Sequence, residues 1–272
     1  MPVSLFYALL SLGGLGLLFG FGLAFASKRF AVSVDPKIEQ VLDALPGTNC
    51  GACGCPGCSG FAEAVVGARV LITACRPGGP EVAQKIAEIM GVQVGEVVPE
   101  VASVQCQGGR REAKEKCRYE GLEDCGAAEL IAGGSKACQY GCLGLGDCVR
   151  ACPYEALVMG DDRLPVVLEE KCTACGLCVQ ACPRGIMQLI PKSAKVYLGC
   201  VSQDRGKAVK KICTVGCTGC TLCASPKVTP SGAIRMKGNL PVIDYTIEGD
   251  LDNAVKKCPT QSYVVRGPRA VT

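Results

Sequence analysis

The stretch KCTACGLCVQACP, residues 171–183, sets Cys172, Cys175, Cys178 and Cys182 at the spacing C-x2-C-x2-C-x3-C and follows the last with Pro183. Three thiols separated by two residues each lie on one tight loop whose curvature brings them to three corners of a single 4Fe-4S cube. The fourth corner must come from elsewhere. Where such runs come in pairs, the cysteine before proline ligates the other cluster, and proline ends the local turn and directs the chain away.

A looser copy precedes it in KACQYGCLGLGDCVRACP, residues 136–153, where GDCVRACP echoes GLCVQACP. The pairing predicts one cluster on Cys138, Cys142, Cys148 and Cys182, and a second on Cys172, Cys175, Cys178 and Cys152. A third echo, VGCTGCTLC, holds Cys217, Cys220 and Cys223, with Lys227 where a fourth cysteine would stand. Its missing ligand is read as Cys258, which precedes Pro259. Glu248, Leu251 and Ala254 occupy the positions where a second run would place its thiols, so this module is a ferredoxin unit reduced to one cluster.

Upstream, NCGACGCPGC places Cys50, Cys53 and Cys58 in a glycine-rich loop, with Cys75, after sixteen intervening residues, as the fourth thiol. Glycine permits close approach of the backbone to a cluster, and successive amides there can hydrogen-bond its sulfides. Cys55 inside the loop is either a competing ligand or a small residue filling a gap.

Sixteen of the 22 cysteines are thereby assigned. Among the rest, ASVQCQGG and VYLGCVSQDRG each end a short apolar run on a cysteine, and each leads into a basic helix-like segment ending near another cysteine. If the two units face each other, Cys106, Cys125, Cys200 and Cys213 complete a fifth site with Cys117 as competitor; otherwise several of these are buried free thiols. The expectation is four 4Fe-4S clusters, or five, with iron the only metal. Zinc suits four thiolates, but its sites combine two pairs rather than three cysteines on one loop with a distant Cys-Pro. Disulfides suit short secreted chains, which a chain of 272 residues is not.

From Val3 to Ala26 the chain runs 24 residues without a charge, then reaches Lys28 and Arg29. About 20 apolar residues cross a bilayer. Positive charge after the segment and none before it orient the bulk of the chain toward the cytoplasm, whereas a signal peptide has the opposite layout despite the cleavage-like Ala24-Phe25-Ala26. Gly16 and Gly20, among five glycines in the span, offer a smooth face for another intramembrane helix. Asp35 and Pro36 start a helix with Ile38, Val41, Leu42 and Leu45 on one face. A second begins near Pro80 with Val82, Ile86 and Ile89 and stops at Gly91. Residues 94–104 suit a strand or connector.

These features predict an α+β chain: a transmembrane anchor over 1–29, a small helical and loop 4Fe-4S domain over 30–100, a connector over 101–137, a two-cluster ferredoxin domain over 138–192, a connector over 193–212 and a degenerate one-cluster module over 213–272.

Residues 31–100 carry four basic and eight acidic side chains, and residues 101–272 carry 23 and 17. Each oxidised cube with its thiolates adds about two negative charges, so the formal +4 becomes modestly acidic in the holoprotein. Lys207, Lys210 and Lys211, with Arg110, Arg111, Lys114 and Lys116, would dock an acidic electron carrier or stand as plain solvated faces. With 5% aromatics and no reader motif, no nucleic-acid partner is expected. The chain has no histidine, hence no imidazole acid-base group and no Rieske or histidine-haem ligand. It has no flavin or nicotinamide loop and no catalytic residue. It moves electrons singly, and two-electron chemistry belongs to another subunit.

The membrane span, NCGACGCPGC with Cys75, KACQYGCLGLGDCVRACP, and KCTACGLCVQACP followed by VGCTGCTLC together resemble the B subunits of Rnf complexes over nearly the whole chain. These are membrane-bound ferredoxin:NAD+ oxidoreductases coupled to sodium or proton translocation. The resemblance implies a cell-membrane, single-pass electron-relay subunit. Reduced ferredoxin would be its donor, its clusters would lie on the cytoplasmic side, and its partners would be membrane subunits and subunits with flavin and NAD sites. Departures are Cys55, where an aromatic is common, and the reduced third module. The alternative is a ferredoxin-like subunit of another membrane-bound redox enzyme, such as a hydrogenase or carbon-metabolism complex.

Overall fold

The structure, a computed structural model, describes residues 3–30, 35–95 and 97–267. It opens with α1 (Val3–Arg29), whose stretch Leu9–Arg29 is long and apolar enough to cross a membrane, with a mean hydropathy of 2.0, and is not buried against the rest of the described chain.

One helix start and one helix end follow the expected capping chemistry. The Asp35 carboxylate accepts the Lys37 backbone N–H at 2.9 Å and Pro36 occupies the first turn of α2 (Pro36–Ala44), a position with no helical hydrogen bond to lose. α3 (Gly57–Val66) follows the glycine-rich cysteine loop. α4 (Gly79–Met90) ends on Gly91 in the left-handed conformation, φ 69°. Val41, Leu45, Phe61, Val65 and Ile86 form the shared core of these three helices. Full burial of residues such as Phe61 or Ile86 stabilises this small unit by about 1.5–3 kcal/mol each. Leu42, expected on the inner face of α2, is exposed instead, because the stripe is set by Val41 and Leu45 at i, i+4.

The remainder is built from antiparallel pairs in two units of like plan. β1 (Glu100–Val104) pairs with β4 (Met187–Pro191), enclosing the hairpin of β2 (Leu157–Met159) and β3 (Pro165–Val167). β5 (Val196–Leu198) pairs with β8 (Tyr263–Val265), enclosing the hairpin of β6 (Ile234–Lys237) and β7 (Leu240–Ile243). Glu100–Val104, at the end of the valine-rich segment after α4, is thus a strand of the first of these two units, with Val101 and Val104 buried.

Short helices follow the cysteine loops. In α6 (Asp147–Arg150) and α7 (Leu177–Ala181), the residue before the helix is Gly146 or Gly176 at φ 84° or 85°, a left-handed turn that glycine takes without steric cost. α5 (Cys125–Leu130), α8 (Lys207–Ile212) and α9 (Asp252–Lys257) complete the set. The basic segment after Cys200 forms α8, but the one after Cys106 forms no helix. Residues 112–116 instead extend between two neighbours: Lys114 N–H donates to Ile212 O at 2.8 Å, Thr214 N–H to Glu112 O at 3.0 Å, and Ala137 N–H to Lys114 O at 2.9 Å. Backbone pairing offered by tertiary neighbours overrides the local preference there.

Candidate iron-sulfur sites

The cysteines that precede proline share one local geometry. Cys152, Cys182 and Cys258 each accept on Sγ the backbone N–H four residues ahead, from Ala156 at 3.4 Å, Ile186 at 3.4 Å and Ser262 at 3.3 Å. Three residues past each, the chain turns through positive φ at Glu155, Gly185 and Gln261. Cys258 therefore sits in the same turn as the two Cys-Pro cysteines of the preceding unit. An N–H aimed at sulfur is the kind of donor that orients a ligating thiol and tunes the group it holds.

Cys217, Cys220, Cys223 and Cys258 line one pocket in the last unit, closed by Leu198, Met236 and Tyr263. Burial pushes the Cys217 thiol up to about 11, with Cys223, Cys258 and Cys220 as neighbours adding to the rise. The Tyr263 hydroxyl is buried without a hydrogen-bond partner of good geometry. It lies beside Cys223 and lowers the pKa of that thiol against the larger upward push of burial.

Cys172, Cys175 and Cys152 are all neighbours of Cys178. Burial raises Cys178 to about 12, and Cys175, Cys172 and Cys152 add to it. In the N-terminal unit, Cys75 is raised by burial and then by Cys53, Cys58 and Cys50. Asn49 shapes that loop by accepting the Cys58 N–H at 2.8 Å. Cys55 stands beside Cys53, packed against the helical core.

The remaining groups differ from expectation by one exchange. Cys142, Cys148 and Cys182 line a pocket whose fourth thiol is Cys125, not Cys138. Burial raises Cys148 to about 12, and Cys142, Cys182 and Cys125 are among the neighbours that add to it. Cys138 lines a different pocket, with Cys106, Cys200 and Cys213. Cys117 belongs to neither; it is exposed, its thiol directed at Gly134 O 3.8 Å away.

The physical reason begins in the repeat itself. Cys142 and Cys148 stand six residues apart, as Cys172 and Cys178 do, and the middle position taken by Cys175 in the tight copy is Leu145 in the loose one. Cys125 takes that place in space, lining the pocket with Cys142 and Cys148 and with the Leu145 backbone among its neighbours. Asp147, which replaces the Leu177 of the tight copy, accepts the backbone N–H groups of Cys125 and Gly126 and holds the start of α5 there. Cys138 is turned the other way by the pairing of residues 136–137 with 114–115, and by Arg184, whose guanidinium donates to Cys138 O at 2.9 Å and Gly141 O at 2.7 Å while pairing with Glu129 at 2.6 Å. The Leu145 gap and Asp147 were the signals in the sequence that would have found Cys125.

Among the described residues, no group of three or more His, Cys, Asp or Glu is gathered closely enough to hold a single metal ion. At a Zn–S length of about 2.3 Å, tetrahedral thiolates would crowd within about 4 Å of one another. Thiols spread around the walls of pockets suit a polynuclear cluster instead. All-thiol donor sets in partly apolar surroundings fit 4Fe-4S groups, which supply one-electron redox capacity when bound.

Fold and sites together define an iron-sulfur protein of the polycluster ferredoxin type, with one apolar helix at its N-terminus. Residues 45–77 match a family model described as "Putative Fe-S cluster", and residues 137–186 match the 4Fe-4S dicluster domain. The chain is 46% identical over 248 residues to the B subunit of the Na(+)-translocating ferredoxin:NAD(+) oxidoreductase complex of Acetobacterium woodii, covering 91% of this chain and 74% of that one. It is 42% identical to the B subunit of the ion-translocating oxidoreductase complex of Methanosarcina acetivorans, covering 94% and 96% of the two chains. To the B subunit of the proton-translocating ferredoxin:NAD(+) oxidoreductase complex of Clostridium ljungdahlii it is 45% identical, covering 90% and 87%. The chain belongs to the family of B subunits of ion-translocating (Rnf) oxidoreductase complexes.

Proposed function

We propose that this chain is the electron-relay subunit of a membrane-bound ferredoxin:NAD+ oxidoreductase. Reduced ferredoxin is its donor, and membrane and flavin-bearing subunits are its acceptors. Two reduced ferredoxins, NAD+ and a proton give two oxidised ferredoxins and NADH; the bond to hydrogen forms on another subunit, and Na+ or H+ moves through partner subunits. Four 4Fe-4S sites follow from this reading: Cys50, Cys53, Cys58 and Cys75; Cys125, Cys142, Cys148 and Cys182; Cys172, Cys175, Cys178 and Cys152; and Cys217, Cys220, Cys223 and Cys258.

The observation that carries the reading is the adjacency of sites from separate modules. The Tyr154 hydroxyl lies 3.2 Å from Thr48 Oγ1 and neighbours Cys50, while Cys50 in turn neighbours Cys175. Cys178 is a neighbour of Cys148. These residues hold the sites close and shield them in partly buried pockets, as one-electron transfer between fixed centres needs. Lys207, Lys210 and Lys211 on α8 are exposed, as is Lys114, bonded through its backbone to the end of that helix. This basic face supports an acidic protein donor through charge steering. Lys28 and Arg29 at the end of α1 support a single pass with the cluster domains on the cytoplasmic side.

The test is anaerobic purification, with iron and acid-labile sulfide counted and the electron paramagnetic resonance spectrum recorded after reduction by ferredoxin. Reduction by ferredoxin at low salt that weakens as salt rises is the expected result. Zinc without sulfide would sink the relay reading, and reduction by dithionite but not ferredoxin would remove ferredoxin as the donor to this chain.

A further inference from the structure

Cys106, Cys138, Cys200 and Cys213 come from four separate segments, yet they line one pocket between the two antiparallel units. Burial pushes the Cys200 thiol up to about 12. Cys213 has Cys106 and Cys138 as neighbours. The backbone is shaped to the thiols: a Cβ added at Gly108 would come within 3.3 Å of Cys213 Sγ, and one at Gly141 within 3.4 Å of Cys138 Sγ. Side chains there would fill the cradle.

A second, independent observation is Lys136. Its side chain is buried, with 3% of the residue exposed, and its ammonium donates to Gly108 O in the pocket wall. Among the described residues no carboxylate lies within ion-pair distance of it. A buried lysine without a counter-charge is costly, and lysine is almost never fully buried unless paired. Lys136 also acts on Cys142 of the adjacent site, so it lies between the two thiol groups, and anionic groups held by the four thiols and at Cys142 would together supply that charge.

We propose that Cys106, Cys138, Cys200 and Cys213 ligate a fifth 4Fe-4S cluster, placed as the link between the ferredoxin unit and the C-terminal unit. The proposal rests on the reading of the other four thiol groups as 4Fe-4S sites. It closes the one gap in their order: Cys106 Sγ accepts the Cys142 backbone N–H at 3.4 Å on one side, and Cys200 neighbours Cys217 on the other. The sites then follow one another as Cys50, Cys172, Cys142, Cys106 and Cys217 groups, with Cys55 and Cys117 left over from the 22 cysteines.

Iron and sulfide per chain, counted on the full-length protein purified anaerobically in detergent, test this together with pairs of alanine variants. The wild type should carry about 20 irons. Cys138→Ala and Cys213→Ala should each leave about 16, and the double variant should also leave about 16, because both ligands serve one cluster. Cys125→Ala with Cys138→Ala should leave about 12, since these serve different clusters. About 16 irons in the wild type, or a Cys138–Cys213 double variant falling to about 12, overturns the fifth site. If the variants fail to fold and lose all iron, the wild-type count decides alone. Wild-type protein without sulfide would instead refute the iron-sulfur reading of every site.

Discussion

The carboxylate of Asp147 accepts the backbone N–H of Cys125 with both oxygens, each at 2.9 Å, across 22 residues of chain. That contact brings a solitary cysteine to the place in the loose cysteine loop where its tight counterpart carries Cys175. Charge-assisted bonds from backbone N–H to carboxylate are worth about 1.5–3 kcal/mol. Asp147→Ala should therefore free Cys125 and speed iron loss from one cluster, read as accelerated release of about four irons to a chelator. Asp147→Asn, which keeps one acceptor oxygen, should fall between. Unchanged release in both variants would show that Cys125 is not positioned this way.

Tyr263 lies over the last thiol site with its hydroxyl buried beside Cys223. With no partner among the described residues, that hydroxyl is free to donate to a sulfur of a bound cluster, and such a bond withdraws charge and raises the reduction potential of the centre. At about 0.5–1.5 kcal/mol for one bond, Tyr263→Phe should lower that potential by roughly 20–60 mV, followed by redox titration. No shift would remove the hydroxyl from the set of tuning groups.

Arg266 ties the C-terminal strand to the ferredoxin unit by pairing with Glu169 at 2.5 Å and donating to the carbonyls of Lys192 and Ala194. Its hydrogen bond holds the Glu169 carboxyl below the usual value of 4.5. The pair's stability is therefore present above that value and lost as pH falls through the lowered folded value. Glu169 is 38% exposed, so screening keeps the contribution under about 1 kcal/mol. Glu169→Gln should be more sensitive to limited proteolysis than the wild type at pH about 7, with the difference shrinking below pH about 4.5. A difference that persists into acid would assign the effect to packing.

α1 makes no buried contact with the rest of the described chain over Leu9–Arg29. Removing residues 1–30 should yield protein that stays in the supernatant on ultracentrifugation and binds as much iron as the full chain. Iron loss on truncation would mean that α1 supports the cluster units.

The two ends of legibility are Cys175 and Cys125. The closeness of Cys172, Cys175 and Cys178 is fixed by spacing, because two intervening residues leave a loop little freedom. The Cys-Pro pairs are nearly as local: the turn that orients Cys152, Cys182 and Cys258 is completed within four residues. The apolar N-terminal run, the capped helix at Asp35 and the glycine stop at Gly91 likewise depend only on near neighbours. Cys106, Cys125, Cys138, Cys200 and Cys213 have no such constraint. Their partners are chosen by the Asp147 carboxylate, by the backbone pairing around Ala113 and Cys213, and by the fork of Arg184 across the loop that begins at Cys138. Sequence by itself determined that the chain is a string of cysteine loops built for iron and sulfur; tertiary structure decided which solitary thiol lies beside which loop, because a side chain's direction is set by contacts made far along the chain.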